Sequence, residues 1–144
     1  ISASIINIVD SVYNKHNCIV WIDTELTGLQ IETDTILEIA CLITDEDLNI
    51  VSEEFNIVIN QPDVVLEHMN EWCMNFHTKS GLVQESKYSK ITLKVAEEMP
   101  SQTCPLAGNT IYMDRLFLLK HMPLVNDYLH YRIIDVSTIK ELVR

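Results

Sequence analysis

Cys18-Ile19-Val20-Trp21-Ile22-Asp23-Thr24-Glu25 is an apolar run closed by two carboxylates at positions i and i+2. On a strand, residues two apart project from one face. Side-by-side carboxylates repel unless positive charge lies between them, and hard oxygen ligands suit Mg²⁺ or Mn²⁺. The stretch is therefore a metal-site candidate at a strand end. Acidic pairs at strand ends are common, and a solvated pair fits the same two residues.

Two further strands follow. Ile36 to Ile43 is mostly apolar after a polar turn, and Glu54 to Asn60 alternates Phe55, Ile57 and Ile59 on one side. The polar stretches Thr27 to Thr35 and Thr44 to Asn49 join the three strands as an antiparallel meander, which Pro62 ends. Val64 to Phe76 carries Val65, Met69, Trp72, Cys73 and Phe76 at helical spacing before the breaker Gly81. On this pattern Trp72 reads as core and His77 as a surface histidine.

Ile91 to Met99 predicts a short helix stopped by Pro100, and Leu106-Ala107-Gly108 a short buried strand. Met113, Leu116 and Phe117 follow amphipathic helical spacing, although Lys120 interrupts it at i+7. Pro123 opens the next turn, Arg132 to Val136 reads as a strand, and Ser137 as the N-cap of a helix from Thr138. Strands first, then alternating helices and strands, predict a mixed α/β sheet covered by helices. There is no internal repeat.

The 144 residues, 47% hydrophobic, suit one globular domain. No apolar run approaches a membrane span, so the chain reads as soluble. The first residue is Ile, and residues 1–17 show neither a basic leader nor a secretory cleavage pattern, so the start reads as processed or truncated. Cys18, Cys41, Cys73 and Cys104 lack metal-site spacing and read as buried free thiols of a reducing compartment. A formal charge of −11 argues against a long nucleic-acid track, because backbone affinity needs many Lys and Arg. Any nucleic-acid substrate should be short, with metal ions supplying local positive charge.

Val20 to Leu29, Cys104 to Asn109 with Asp114, and His130 to Thr138 together resemble oligoribonuclease, a DEDDh-type 3′-to-5′ exoribonuclease family. The likeness runs from about residue 17 to Arg144, leaving 1–16 as an N-terminal extension to an exonuclease domain over 17–144. It implies a ribonuclease H-like fold and a homodimer that cuts very short RNA oligonucleotides, especially dinucleotides, to mononucleotides. Asp23, Glu25 and Asp114 would hold two Mg²⁺ or Mn²⁺ ions about 4 Å apart, one activating water and the other stabilising the leaving 3′ oxygen. Without the resemblance, Asp114 is equally a helix N-terminal acid favoured by the dipole.

By the same resemblance, Leu29 is an apolar wedge, and Trp72 and His77 are a base-stacking and phosphate-contacting pair. Stacking is sequence-tolerant because every base has a π-face. Tyr131, Arg132 and Ser137 match residues that reach across the dimer to cap the substrate's 5′ phosphate, a task suited to the forked Arg side chain. Family members occur in mitochondria and cytoplasm.

The family completes its site with a His and an Asp five positions apart, downstream of Asp135-Val136-Ser137-Thr138. His130 and Asp135 share that spacing but would face opposite sides of a strand and belong to a different family segment. The expectation is thus a domain incomplete at its C-terminal end, without its general base and fourth carboxylate. The interval Ile91 to Cys104 is also shorter than the family's, which would leave sheet uncovered. The alternative to an active enzyme is a non-catalytic paralogue or fragment that binds short oligonucleotides and dimerises.

Overall fold

β1 (Cys18–Leu26), β2 (Ile36–Asp45) and β3 (Phe55–Val58) form the antiparallel meander, as the alternation predicts. The computed structural model describes residues 18–96 and 104–144. The extension expected over 1–16 and the helix stop at Pro100 lie outside the described residues. Helices α1 (Asp63–Glu67), α2 (Glu71–Ser80), α3 (Leu82–Tyr88) and α4 (Leu93–Ala96) come next. The chain then returns through β4 (Pro105–Gly108), α5 (Ile111–His121), α6 (Pro123–Tyr128), β5 (His130–Asp135) and α7 (Val136–Leu142).

The sheet order is β3-β2-β1-β4-β5, with β4 parallel to both β1 and β5. This is the mixed, helix-flanked sheet expected of a ribonuclease H-like fold. Val20 and Ile22 pair with Ile43 and Cys41, and this face is buried under Phe117, Leu118, Met122 and Val125 of the α5–α6 region. A second cluster joins Leu37 to Leu66, Met69, Cys73 and Leu82, so α1 to α3 pack around the end of β2. Each such fully buried side chain contributes about 1.5–3 kcal/mol of transfer free energy.

Three local expectations change. Cys18 and Cys104 are joined as a disulfide, their Cα atoms 5.4 Å apart, so only Cys41 and Cys73 remain free thiols. Sequence spacing could not reveal this, because the parallel pairing of β1 with β4 closes a separation of 86 residues. Second, α7 begins at Val136 rather than Thr138, and its cap is Asp135, whose side chain accepts from Ser137 N. Third, α5 buries Ile111, Asp114, Phe117 and Leu118, and Leu116 faces outward. Among the described residues no helix is long and apolar enough to cross a membrane.

Candidate active site

Asp23 and Glu25 project from the same face of β1, where their register partners on β2 are Ala40 and Glu38. Asp114 arrives from the first turn of α5 and reaches β1 through Thr24. Its Oδ1 accepts from Thr24 N at 3.0 Å and from Thr24 Oγ1 at 2.5 Å. Gly108 permits this approach: a Cβ there would stand 2.8 Å from the Ile22 carbonyl oxygen and 2.7 Å from Ile111 Cδ1. The β4–α5 turn is thus pressed onto β1 beside the acids.

These acids act on one another. Burial pushes the Glu25 carboxyl above its ordinary range; His77 opposes the shift, and Asp23, Glu38 and Asp114 add to it. Burial likewise raises Asp114, against the Thr24 hydrogen bonds and with a further push from Asp23. Hard oxygen donors that repel one another are the donor chemistry a divalent cation neutralises. Among the described residues no three His, Cys, Asp or Glu side chains stand together as a ready ligand set. The acids would have to draw together around an ion.

Glu25 also lines a groove of about 350 Å³ with Leu29, Trp72 and His77. Contrary to its helical pattern, Trp72 is 70% exposed and stacks on Phe76, the ring planes 3° apart and the centroids 5.3 Å apart. His77, which reads as a surface residue, is 2% exposed. The reason is local: Asn70 caps α2 by accepting from Cys73 N, and Cys73 and His77, one turn apart, face inward while Trp72 and Phe76 face out. The Leu26 carbonyl can only accept, so His77 Nε2 carries the proton of their 2.9 Å hydrogen bond. Nδ1, 3.9 Å from Glu25 Oε2, has no hydrogen-bond partner. A buried polar atom without a partner is costly, and this one belongs to a side chain that lines the groove.

Leu29, 68% exposed, is presented by the β1–β2 loop. Asp34 orders that loop by accepting from Thr27 Oγ1 at 3.0 Å and from Gln30 N at 2.8 Å. From α5, Lys120 donates to the Ile31 carbonyl and His121 Nε2 to the Asp34 carbonyl. Lys120, which breaks the apolar stripe, and Asp34 are therefore supporting residues that sequence reasoning missed. Gly28 was a usable signal for Asp34, since a Cβ there would collide with its carboxylate.

The remaining candidates lie elsewhere. Asp23 opens on an adjacent trough of about 530 Å³ that also touches Gly108 and Asn109. Tyr131 and Arg132 stand exposed on β5, which is an edge of the described sheet, with the guanidinium carbon 5.6 Å from the Tyr131 ring centroid. Ser137 Oγ donates to Asn109 Oδ1 at 2.7 Å, tying α7 to the β4–α5 turn.

The RNase_T exonuclease family model matches residues 20–144. The probable oligoribonuclease of Drosophila melanogaster is 53% identical, the match covering 88% of this chain and 64% of that protein. The mitochondrial oligoribonuclease of Homo sapiens is also 53% identical, over 87% of this chain and 56% of its own length. An oligoribonuclease of Francisella tularensis is 49% identical, over 86% of this chain and 75% of its length. The chain thus spans less than two thirds of the fly and human relatives. Among solved structures, exonuclease I from Methylocaldum szegediense superposes with a TM-score of 0.67 at 17% identity, covering 89% of this chain and 29% of that one. Escherichia coli exonuclease I bound to a dT13 oligonucleotide gives 0.67 at 14%, covering 88% and 29%. At such identities the likeness concerns the fold.

Proposed function

The chain belongs to the oligoribonuclease family of exonucleases, and on that premise we propose that it degrades short RNA oligonucleotides, dinucleotides included, from the 3′ end to mononucleotides. The observation that carries this reading is the junction of Glu25 with Leu29, Trp72 and His77 in one groove, next to Asp23 and Asp114. Acids alone would suit any charged surface; acids beside an exposed aromatic face and an apolar wedge suit a nucleotide.

Asp23, Glu25 and Asp114 are the residues proposed to hold two divalent ions, Mg²⁺ or Mn²⁺. When bound, such ions supply activation of water and charge to stabilise the departing 3′ oxygen. The chain's own residues bind and orient the substrate. Trp72 offers a face to a base, Leu29 separates neighbouring bases, and Thr24 holds the Asp114 carboxylate oriented. His77 lines the groove with Trp72 and is the residue proposed to contact the substrate's phosphate. On the same reading the chain forms a homodimer in which Tyr131 and Arg132 cap the 5′ phosphate of a substrate held by the other subunit, and Ser137 joins them by exchanging its bond to Asn109 for one to the phosphate. The mitochondrial names of the mouse and human relatives favour that compartment over the cytoplasm.

The test is incubation with a 5′-labelled RNA dinucleotide and Mn²⁺ beside Asp23→Asn. Release of mononucleotide, falling at least about 100-fold in the variant, is expected, since a metal ion supplies several kcal/mol of transition-state stabilisation. Dinucleotide binding without cleavage would overturn the catalytic reading.

A further inference from the structure

We infer that Asp135 is a positioning residue: it locks the turn between β4 and α5 and thereby places Asp114 against β1. Thr110, the residue before α5, has φ 56° and ψ 32° and no side-chain cap of its own helix. That left-handed conformation is disfavoured for a residue with a Cβ, above all a β-branched one. Something else must hold it. Thr110 N donates to Asp135 Oδ1 at 3.1 Å and to Ser137 Oγ at 2.9 Å. The same Asp135 oxygen accepts from Ser137 N at 2.9 Å, so one carboxylate caps α7 and fixes the strained turn together. Ser137 Oγ spends its proton on Asn109, which leaves the Thr110 hydroxyl as donor in their 3.1 Å pair.

The geometry behind the clamp is tight. Gly108 and Asp135 are register partners at the ends of the parallel strands β4 and β5. From Gly108 the chain must turn within two residues to start α5 over β1, and the first turn of that helix carries Asp114. A sparsely populated conformation persists only where its surroundings over-determine it. Releasing Thr110 would let α5 start differently, and the 3.0 Å bond from Thr24 N to Asp114 would be the first to report it.

Thr24 amide exchange therefore tests the inference without turnover. In Asp135→Ala it is expected to quicken at least about 10-fold relative to the β1–β2 ladder amides, as a local opening would. Asp135→Asn, which keeps the accepting oxygen, should retain the protection. Thr110→Gly should restore it in the Asp135→Ala background, because glycine adopts φ > 0 without help. Unchanged Thr24 exchange in Asp135→Ala, or general loss of ladder protection that Thr110→Gly does not repair, would overturn the clamp. Its catalytic consequence rests on Asp114 as a metal ligand: kcat for a dinucleotide should drop about 10-fold with KM within about 2-fold. A raised KM at unchanged kcat would instead make Asp135 a substrate contact. If the parent chain cleaves nothing, the catalytic reading fails while Thr24 exchange still decides the clamp.

Discussion

Asp114 occupies a position on α5 that helical periodicity reserves for an apolar side chain, and its energetics follow from that. Burial, opposed by Thr24 and aided by Asp23, leaves its folded carboxyl above the ordinary range. Below that range both folded and unfolded forms are protonated and nothing is lost. As pH rises from the ordinary carboxylate range through the raised folded value, the unfolded chain releases its proton first and stability falls. Asp114→Asn, which can still accept from Thr24, should therefore melt about 2–4 °C higher at neutral pH without divalent ions, roughly the effect of 1 kcal/mol. The difference should vanish in acid, and the stabilisation that Mn²⁺ gives the parent should shrink in the variant. A lower midpoint, or an undiminished Mn²⁺ shift, would remove Asp114 from the site. That Asp23 and Glu25 share one face of β1 was legible at this scale, because the strand period of two is short-range. Asp114 was not, since its partner Thr24 lies 90 residues away; only the family motif marked it.

The elements were legible to within a few residues wherever one face is apolar: β1, β2 and α5 are where alternation and helical spacing put them. Errors came where polar side chains do structural work. Ser137 looks like a cap, but Asp135 is the cap because it must also hold Thr110, a contact that no local pattern encodes. In α2 the helical spacing predicts the buried Cys73 correctly but puts Trp72 inward and His77 at the surface, which the structure reverses because His77 reaches the Leu26 carbonyl of β1. Only the family resemblance marks Trp72 as a stacking residue. That orientation leaves the Trp72 ring exposed. Stacking on an aromatic is worth about 1–3 kcal/mol per base. Trp72→Ala should thus raise KM for a dinucleotide by about 5–150-fold with little change in kcat. Its melting temperature should hardly move, since an exposed ring buries little. A fall in kcat at constant KM, or a large drop in stability, would return Trp72 to the core.

At the scale of the whole molecule, the proposed site asks for more than one chain of this fold displays. The acids and the groove lie around β1 and α2, while Tyr131 and Arg132 stand exposed on the β5 edge, where pairing with a second subunit is open to them. If one subunit's Arg132 caps the phosphate of a substrate held by the other's acids, each site is built from two chains. Asp23→Asn and Arg132→Ala then damage different halves. Either variant alone disables both sites of its dimer at substrate levels below KM, because an Arg–phosphate pair is worth about 1.5–3 kcal/mol. Mixed and re-equilibrated in equal amounts, half the dimers would be hybrids, each with one intact site, and about one quarter of parental activity should return. A cap acting within its own chain leaves no such recovery, because every Asp23-competent chain in the mixture then lacks its arginine. Mixing the purified variants and following dinucleotide cleavage therefore decides whether the β5 edge is a shared wall of two active sites.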